Sequence, residues 1–240
     1  MFFYTNHNEY RNYKEQLDYI ICRQSSLHTK SALNFYRQLS IDEGNVVSEC
    51  SFILVRDNTP LIAFQGAYVK KNGKTNLCAY KIPCITSENK AKLSGNASKQ
   101  FTKEFEKVTQ SVDGVVSYCD YLIDGELTTL SSYLLTKGAK VKTTFSKVID
   151  LKQDESILKS HLRKSYGSLV NWGLRELQPK ILDSSNISWK DINNFRELHI
   201  HEAGKETRTI ETWVRQFEMI QKEEAFMVLG QLDSKTVSAG

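Results

Sequence analysis

The sequence predicts an α+β fold made of one complete unit followed by a second, truncated one. Three observations lead there. An early helical segment gives way at Ser51 to period-two patterning joined by tight-turn residues, the mark of an antiparallel meander. Helix, strand, helix and strand then follow, completing a first unit over residues 1–150. Residues 151–240 supply helices and barely two strands of a unit built like the first, the last strand starting at Thr236.

Taken in order, Leu33, Tyr36 and Leu39 recur at helical spacing and place a helix over Ser31–Leu39. Ser51–Arg56 and Leu61–Lys70 read as strands on either side of a turn at Asp57-Asn58-Thr59-Pro60. Asn72-Gly73 is the strongest hairpin signal, because both residues tolerate positive φ, and it makes Thr75–Ile85 the third strand. A helix over Ala97–Gln110 carries Phe101, Phe105 and Val108 on one face. Gly114–Cys119 reads as a buried strand, Gly125–Lys137 as a helix closed by Gly138, and Lys140–Leu151 as a further strand.

The second unit opens with a long amphipathic helix over Asp154–Arg175, with Leu158, Leu162, Tyr166, Leu169 and Val170 inward. From Ser156 to Arg175 it contains no acid. A short strand past Pro179 ends at Leu182, and Ser188 with Asp191 forms a capping box for a helix running to about Ala203. Ile210–Lys222 is a helix with Trp213, Val214, Phe217 and Ile220 on one face. Ala225–Leu232 and the residues from Thr236 flank a turn at Asp233-Ser234. A lone hairpin is marginal in water, so the expectation is a fragment of a longer protein, or a hairpin that joins the first unit's sheet.

Composition narrows the class. The 240 residues are 40% hydrophobic, 25% charged and 10% aromatic, with three prolines, which excludes disordered and collagenous chains. No apolar run is long enough to span a membrane, and Met1–Glu9 lacks the form of a signal peptide. The expectation is a soluble, cytoplasmic protein. Thirty-two Lys and Arg against 28 Asp and Glu give a net charge of +4. Such mild basicity suits an anionic small molecule or a phosphate group and falls short of a nucleic-acid footprint, so no DNA partner is expected. Five scattered cysteines (Cys22, Cys50, Cys78, Cys84, Cys119) form no CxxC pair, so reduced thiols are expected and no metal site.

The order of helix, meander, helix, strand, helix and strand resembles the GNAT N-acyltransferase fold. The passages Ser146–Leu151 and His161–Tyr166, then Phe195–His199, Ala203–Thr209, Glu211–Trp213 and Glu224–Gly230, resemble FemAB-like proteins. That resemblance implies two tandem GNAT-like domains, here residues 1–150 and 151–240, and acyl or aminoacyl transfer onto an amine. The best-known members add amino acids from aminoacyl-tRNA to the peptidoglycan peptide bridge, and many others resemble acyl-CoA-dependent transferases. It implies acyl-CoA or aminoacyl-tRNA as donor and a small-molecule, sugar or peptide acceptor. In such proteins the donor-binding strand and phosphate loop of the second domain lie beyond the point corresponding to Gly240. Little or no turnover is therefore expected of this chain alone.

Acyl transfer to an amine needs a grip on the donor, donors for the developing oxyanion and a base for the ammonium proton. A GNAT donor loop presents Arg or Gln-x-x-Gly-x-Gly or Ala, and Lys92, Gly95 and Ala97 match it loosely ahead of a helix. His199, four after Phe195, reads either as a general base oriented by Glu202 or as a core histidine. His201 falls on the opposite side, and His161 reads either way. Arg163 and Lys164 read as an anion grip or as a solvated basic face. Arg208, in a loop rich in hydroxyls, could hold a phosphate or carboxylate bidentately. Trp213 reads as core or as a sugar-stacking platform.

The leading reading is an N-acyltransferase acting on an amine of a cell-envelope sugar or peptide precursor. Two others stay open: a simple acetyl-CoA-dependent GNAT enzyme using the loop at Gly95, and a non-catalytic ligand-binding module derived from a transferase. Binding of CoA by the chain separates the second from the third.

Overall fold

The computed structural model describes residues 1–20, 29–79, 82, 84–120, 126–145, 152–233 and 235–240. Cys22, the Ser146–Leu151 passage, Gly125 and Ser234 lie outside them; Glu126, Leu127 and Thr128, expected in the Gly125–Lys137 helix, precede a helix that begins only at Thr129. The fold is mixed α+β. Backbone contacts divide it into two units, Met1–Lys140 with Ile210–Arg215, and Val141–Thr209 with Gln216–Gly240.

In the first unit β1 (Phe2–Tyr4), α1 (Asn8–Ile20) and α2 (Lys30–Asp42) precede six strands. These are β2 (Val46–Glu49), β3 (Phe52–Arg56), β4 (Thr59–Gln65), β5 (Ala67–Lys71), β6 (Lys74–Leu77) and β7 (Ile85–Glu88). α3 (Gly95–Thr109) and α4 (Thr129–Thr136) follow. The hairpins have the expected chemistry: Asn72 and Gly73 stand at φ 50° and 79°, and Asp57 and Asn58 at 47° and 56°. Both pairs suit the two-residue turn whose twist matches that of paired strands.

The meander is not one sheet. The segment expected as a single strand over Leu61–Lys70 breaks at Gly66, so that β4 enters a sheet ordered β1-β3-β4-β7 and β5 a sheet ordered β2-β5-β6. Likewise Thr75–Ile85 is not one strand, because β6 ends at Leu77 and β7 begins at Ile85. Gly66 sits where the chain changes sheets, and a Cβ there would lie 2.5 Å from the Phe64 ring and 2.7 Å from Cys78 Sγ. Gly66→Ala is therefore expected to cost about 1–3 kcal/mol by overpacking. A denaturant midpoint equal to that of the wild type would show that the two side chains move aside freely.

The four-stranded sheet is covered on both faces, which explains the uninterrupted Phe52–Val55 run. Phe52, Leu54, Ile62 and Phe64 face α3, where Phe101, Phe105 and Val108 pack as the period predicts. Ring centroids of Phe52 lie 5.3 Å from both Phe64 and Phe101. Ile53, Val55 and Ala63 point to the opposite face and meet Tyr10 and Leu17 of α1.

The second unit holds α5 (Glu155–Ser160), α6 (Lys164–Glu176), β8 (Gln178–Leu182), α7 (Trp189–Ala203), the end of α8 (Ile210–Gln221), β9 (Met227–Leu232) and β10 (Lys235–Ala239). The capping box at Ser188 and Asp191 is present in full, and Gly204 ends α7 at φ 66°. Ser188→Ala is expected to lower stability by about 1 kcal/mol, read as a shift in thermal midpoint. Three expectations are corrected. Asp154–Arg175 is two helices, interrupted between Ser160 and Lys164, and α6 buries no residue: Leu169 is 59% and Trp172 47% exposed. Gly114–Cys119 is no buried strand, since its one ladder contact is a parallel bridge from Val116 to Leu77, and Val115 is exposed. Residues 140–145 form no strand. The final hairpin joins neither the first unit's sheets nor solvent alone; β10 pairs with β9 and β9 with β8.

Candidate functional site

Two places carry chemistry. In the second unit, α7 presents His199 from a half-buried position near its C-terminus, and the loop that Gly204 opens returns Arg208 to it. Burial first, and the Arg208 guanidinium second, lower the pKa of His199 below the ordinary histidine value. Burial also lowers that of Arg208. The pair thus joins a neutral imidazole, able to accept a proton, to a partly desolvated cation able to grip an anion. The same loop is held by Arg196, which donates to Glu206 at 2.6 Å.

The other expected residues fall differently. Glu202 is exposed and lies 3.2 Å from His201 Nδ1, which places it with the solvated histidine and not as the orienting partner of His199. Arg163 and Lys164 stand exposed at the N-terminal end of α6; α6 lies against β8, whereas α7 lies against β10. Trp213 is 1% exposed, so its ring offers no platform to a sugar. Among the described residues, no group of three or more His, Cys, Asp and Glu could hold a metal ion.

The second place is a hollow of about 530 Å³ in the first unit, between α3, α4 and the end of β7. Gly95 lines it, as the donor-loop reading requires, but the rest of that reading is corrected. Gly95 has no left-handed φ and room for a Cβ, so its glycine character is not demanded by the backbone. Ala97 is buried in the core, and its N–H donates to the Ser94 cap hydroxyl at 3.3 Å. Lys92 is exposed and outside the lining. What lines the hollow instead is a set of hydroxyls, two carboxylates, Glu88 and Glu126, and two ammonium groups, Lys90 and Lys99.

The α4 side of this hollow is fixed by a polar network. Tyr118 Oη lies 2.5 Å from Thr86 Oγ1 and 2.8 Å from Thr128 Oγ1. Asp120 accepts from the Thr128 N–H, the Thr128 hydroxyl and the Ser131 hydroxyl. Glu88 Oε1 accepts from the Thr129 N–H at 2.6 Å. Burial pushes the Glu88 carboxyl up; the Thr129 hydrogen bonds oppose this but do not cancel it. Sequence reasoning missed Glu88 and Asp120, whose partners lie 41 and 8 residues away.

No family model matches this chain, and no curated protein does. Among solved structures, a crystal structure of FemX matches over 97% of this chain with a TM-score of 0.62 and 12% sequence identity. This chain spans 58% of the FemX chain. At that identity the likeness concerns the fold, and the fold of this chain is FemX-like.

Proposed function

We propose that the chain is an N-acyltransferase of the FemAB-like kind, transferring an acyl or aminoacyl group to an amine of a cell-envelope sugar or peptide precursor in the cytoplasm. The observation that carries this is the FemX-like fold over almost the whole chain. It agrees with the motif resemblance at Phe195–His199 and Ala203–Thr209, the segments that bring His199 and Arg208 together. In this reading residues 1–150 and 151–240 belong to two GNAT-like domains. The strand–helix–helix–strands order of the first unit supports that assignment.

The donor is acyl-CoA or aminoacyl-tRNA. The acceptor amine attacks the acyl carbonyl to form the amide bond, the proton it sheds passes to His199 and from there to the donor's oxygen or sulfur, and the acyl–oxygen or acyl–sulfur bond breaks to release the donor's hydroxyl or thiol. Arg208 holds an anionic group of the acceptor through its fork, and Arg163 and Lys164 add positive potential. The experiment is donor binding by the natural full-length protein. Saturable binding of aminoacyl-tRNA or acyl-CoA, measured by filter retention or calorimetry, is the expected result. Binding of neither donor would overturn the transferase reading in favour of a ligand-binding module.

A further inference from the structure

The hollow between α3 and α4 fits a different ligand from the one its glycine suggests. A pyrophosphate needs free helix N-terminal amides and unopposed cations. Here the Ala97 amide is taken by Ser94, and of the two lysines that line the hollow, Lys90 and Lys99, the first is held by Glu126 at 2.7 Å. Glu88 adds a negative charge from the inner wall, where Thr129 holds it through its N–H, on Oε1 at 2.6 Å, and through its side chain. Phosphate would meet the carboxylates of Glu88 and Glu126 beside the ammonium groups of Lys90 and Lys99. An ammonium would meet a partly desolvated counter-ion, and a polyol would meet the hydroxyls of Ser98, Thr102 and Ser132 on facing helices.

We propose that this hollow binds the amine-bearing acceptor as a small amino sugar, with Glu88 as the counter-ion to its ammonium and the serine and threonine hydroxyls as partners of its ring oxygens. The inference rests on the transferase reading for the word acceptor; the binding chemistry itself does not. Glu88 is suited to the role because Thr129, at the first turn of α4, fixes its carboxylate in the wall of the hollow. The wall behind it is stiffened by Tyr118, Thr128 and Asp120. The bland role for Glu88 is that of a helix cap, and the charge-removing amide separates the two. Glutamine keeps an oxygen for the Thr129 N–H and loses the ion pair.

The test is titration of the full chain with glucosamine and with N-acetylglucosamine, followed by heteronuclear NMR and calorimetry. Glucosamine is expected to shift the amides of Ser98, Thr129 and Ser132 and to bind at least about tenfold more tightly than its N-acetyl form, a charge-assisted contact's share of affinity. Glu88→Gln should remove that preference while leaving the thermal midpoint in place, and Ser98→Phe should block both sugars. Equal binding of the two sugars, binding unchanged in Glu88→Gln, or no shift at those amides would overturn the proposal. The failures are separable. Amine binding here without donor binding sinks the transferase reading alone, and donor binding without a glucosamine preference sinks the site alone.

Discussion

Trp213→Ala is expected to lower stability by about 3–5 kcal/mol, the cost of emptying a buried aromatic site. Trp213 is among the largest side chains that the fold removes fully from water. Its neighbour Thr212 is buried as well and donates to Asp42 Oδ2 at 2.6 Å, so this turn of α8 is anchored in the first unit. For a chain of this size such a loss lowers the thermal midpoint by roughly 6–20 °C, easily read by circular dichroism. Trp213→Phe, which keeps most of the volume, should lose well under half as much. The stacking-platform reading makes the opposite forecast: an unchanged midpoint with weakened sugar binding. A melt of Trp213→Ala that overlays the wild type would therefore return the indole to the list of ligand contacts.

The parts of the fold that were legible are those where one physical signal acts alone. α3 shows its buried face because Phe101, Phe105 and Val108 recur with the helical period and nothing interrupts them. The Asn72-Gly73 turn is legible because positive φ is a local demand. α1 was not found, since its inward stripe of Tyr10, Lys14 and Leu17 contains a lysine. Lys14 is buried, paired with Asp18 one turn on; burial lowers its pKa, and Asp18 works against that shift. A buried charge inside the stripe breaks the apolar pattern that would reveal the helix. The break at Gly66 is illegible for another reason. An apolar run reads the same whether it serves one sheet or crosses between two.

α6 shows the converse. Tyr166, Leu169 and Val170 follow the helical period, yet all three remain exposed. Amphipathicity establishes that a helix has an apolar face and says nothing of what covers it. The site was legible to a similar degree. The loop at Gly95 borders the hollow, but by a motif whose key amide serves a serine cap. Glu88 could not be read as a site residue, because its setting is made by α4, a partner distant in sequence.

In the natural full-length protein, His199→Ala is expected to reduce the rate of acyl transfer by about 10²–10⁴-fold, the usual share of a positioned general base, with acceptor affinity nearly unchanged. Arg208→Lys should instead weaken acceptor binding by roughly tenfold, since an ammonium keeps the charge and loses the bidentate fork. The geometry behind both can be checked without turnover. The Arg208 guanidinium, after burial, lowers the pKa of His199. Arg208→Gln removes that positive charge, so the pKa of His199 should rise towards the ordinary value, followed by the imidazole resonances in an NMR pH titration. The rise is partial, because burial persists; Arg208→Lys, which retains a charge, should move it less. The direction has a consequence for the proposed base. A histidine held below its ordinary pKa is neutral at pH 7 and can take the ammonium proton, while one raised well above 7 would arrive already protonated. An unchanged His199 titration in Arg208→Gln would mean that the two side chains do not share a site, and the assignment of base and anion grip to one cleft would fall with it.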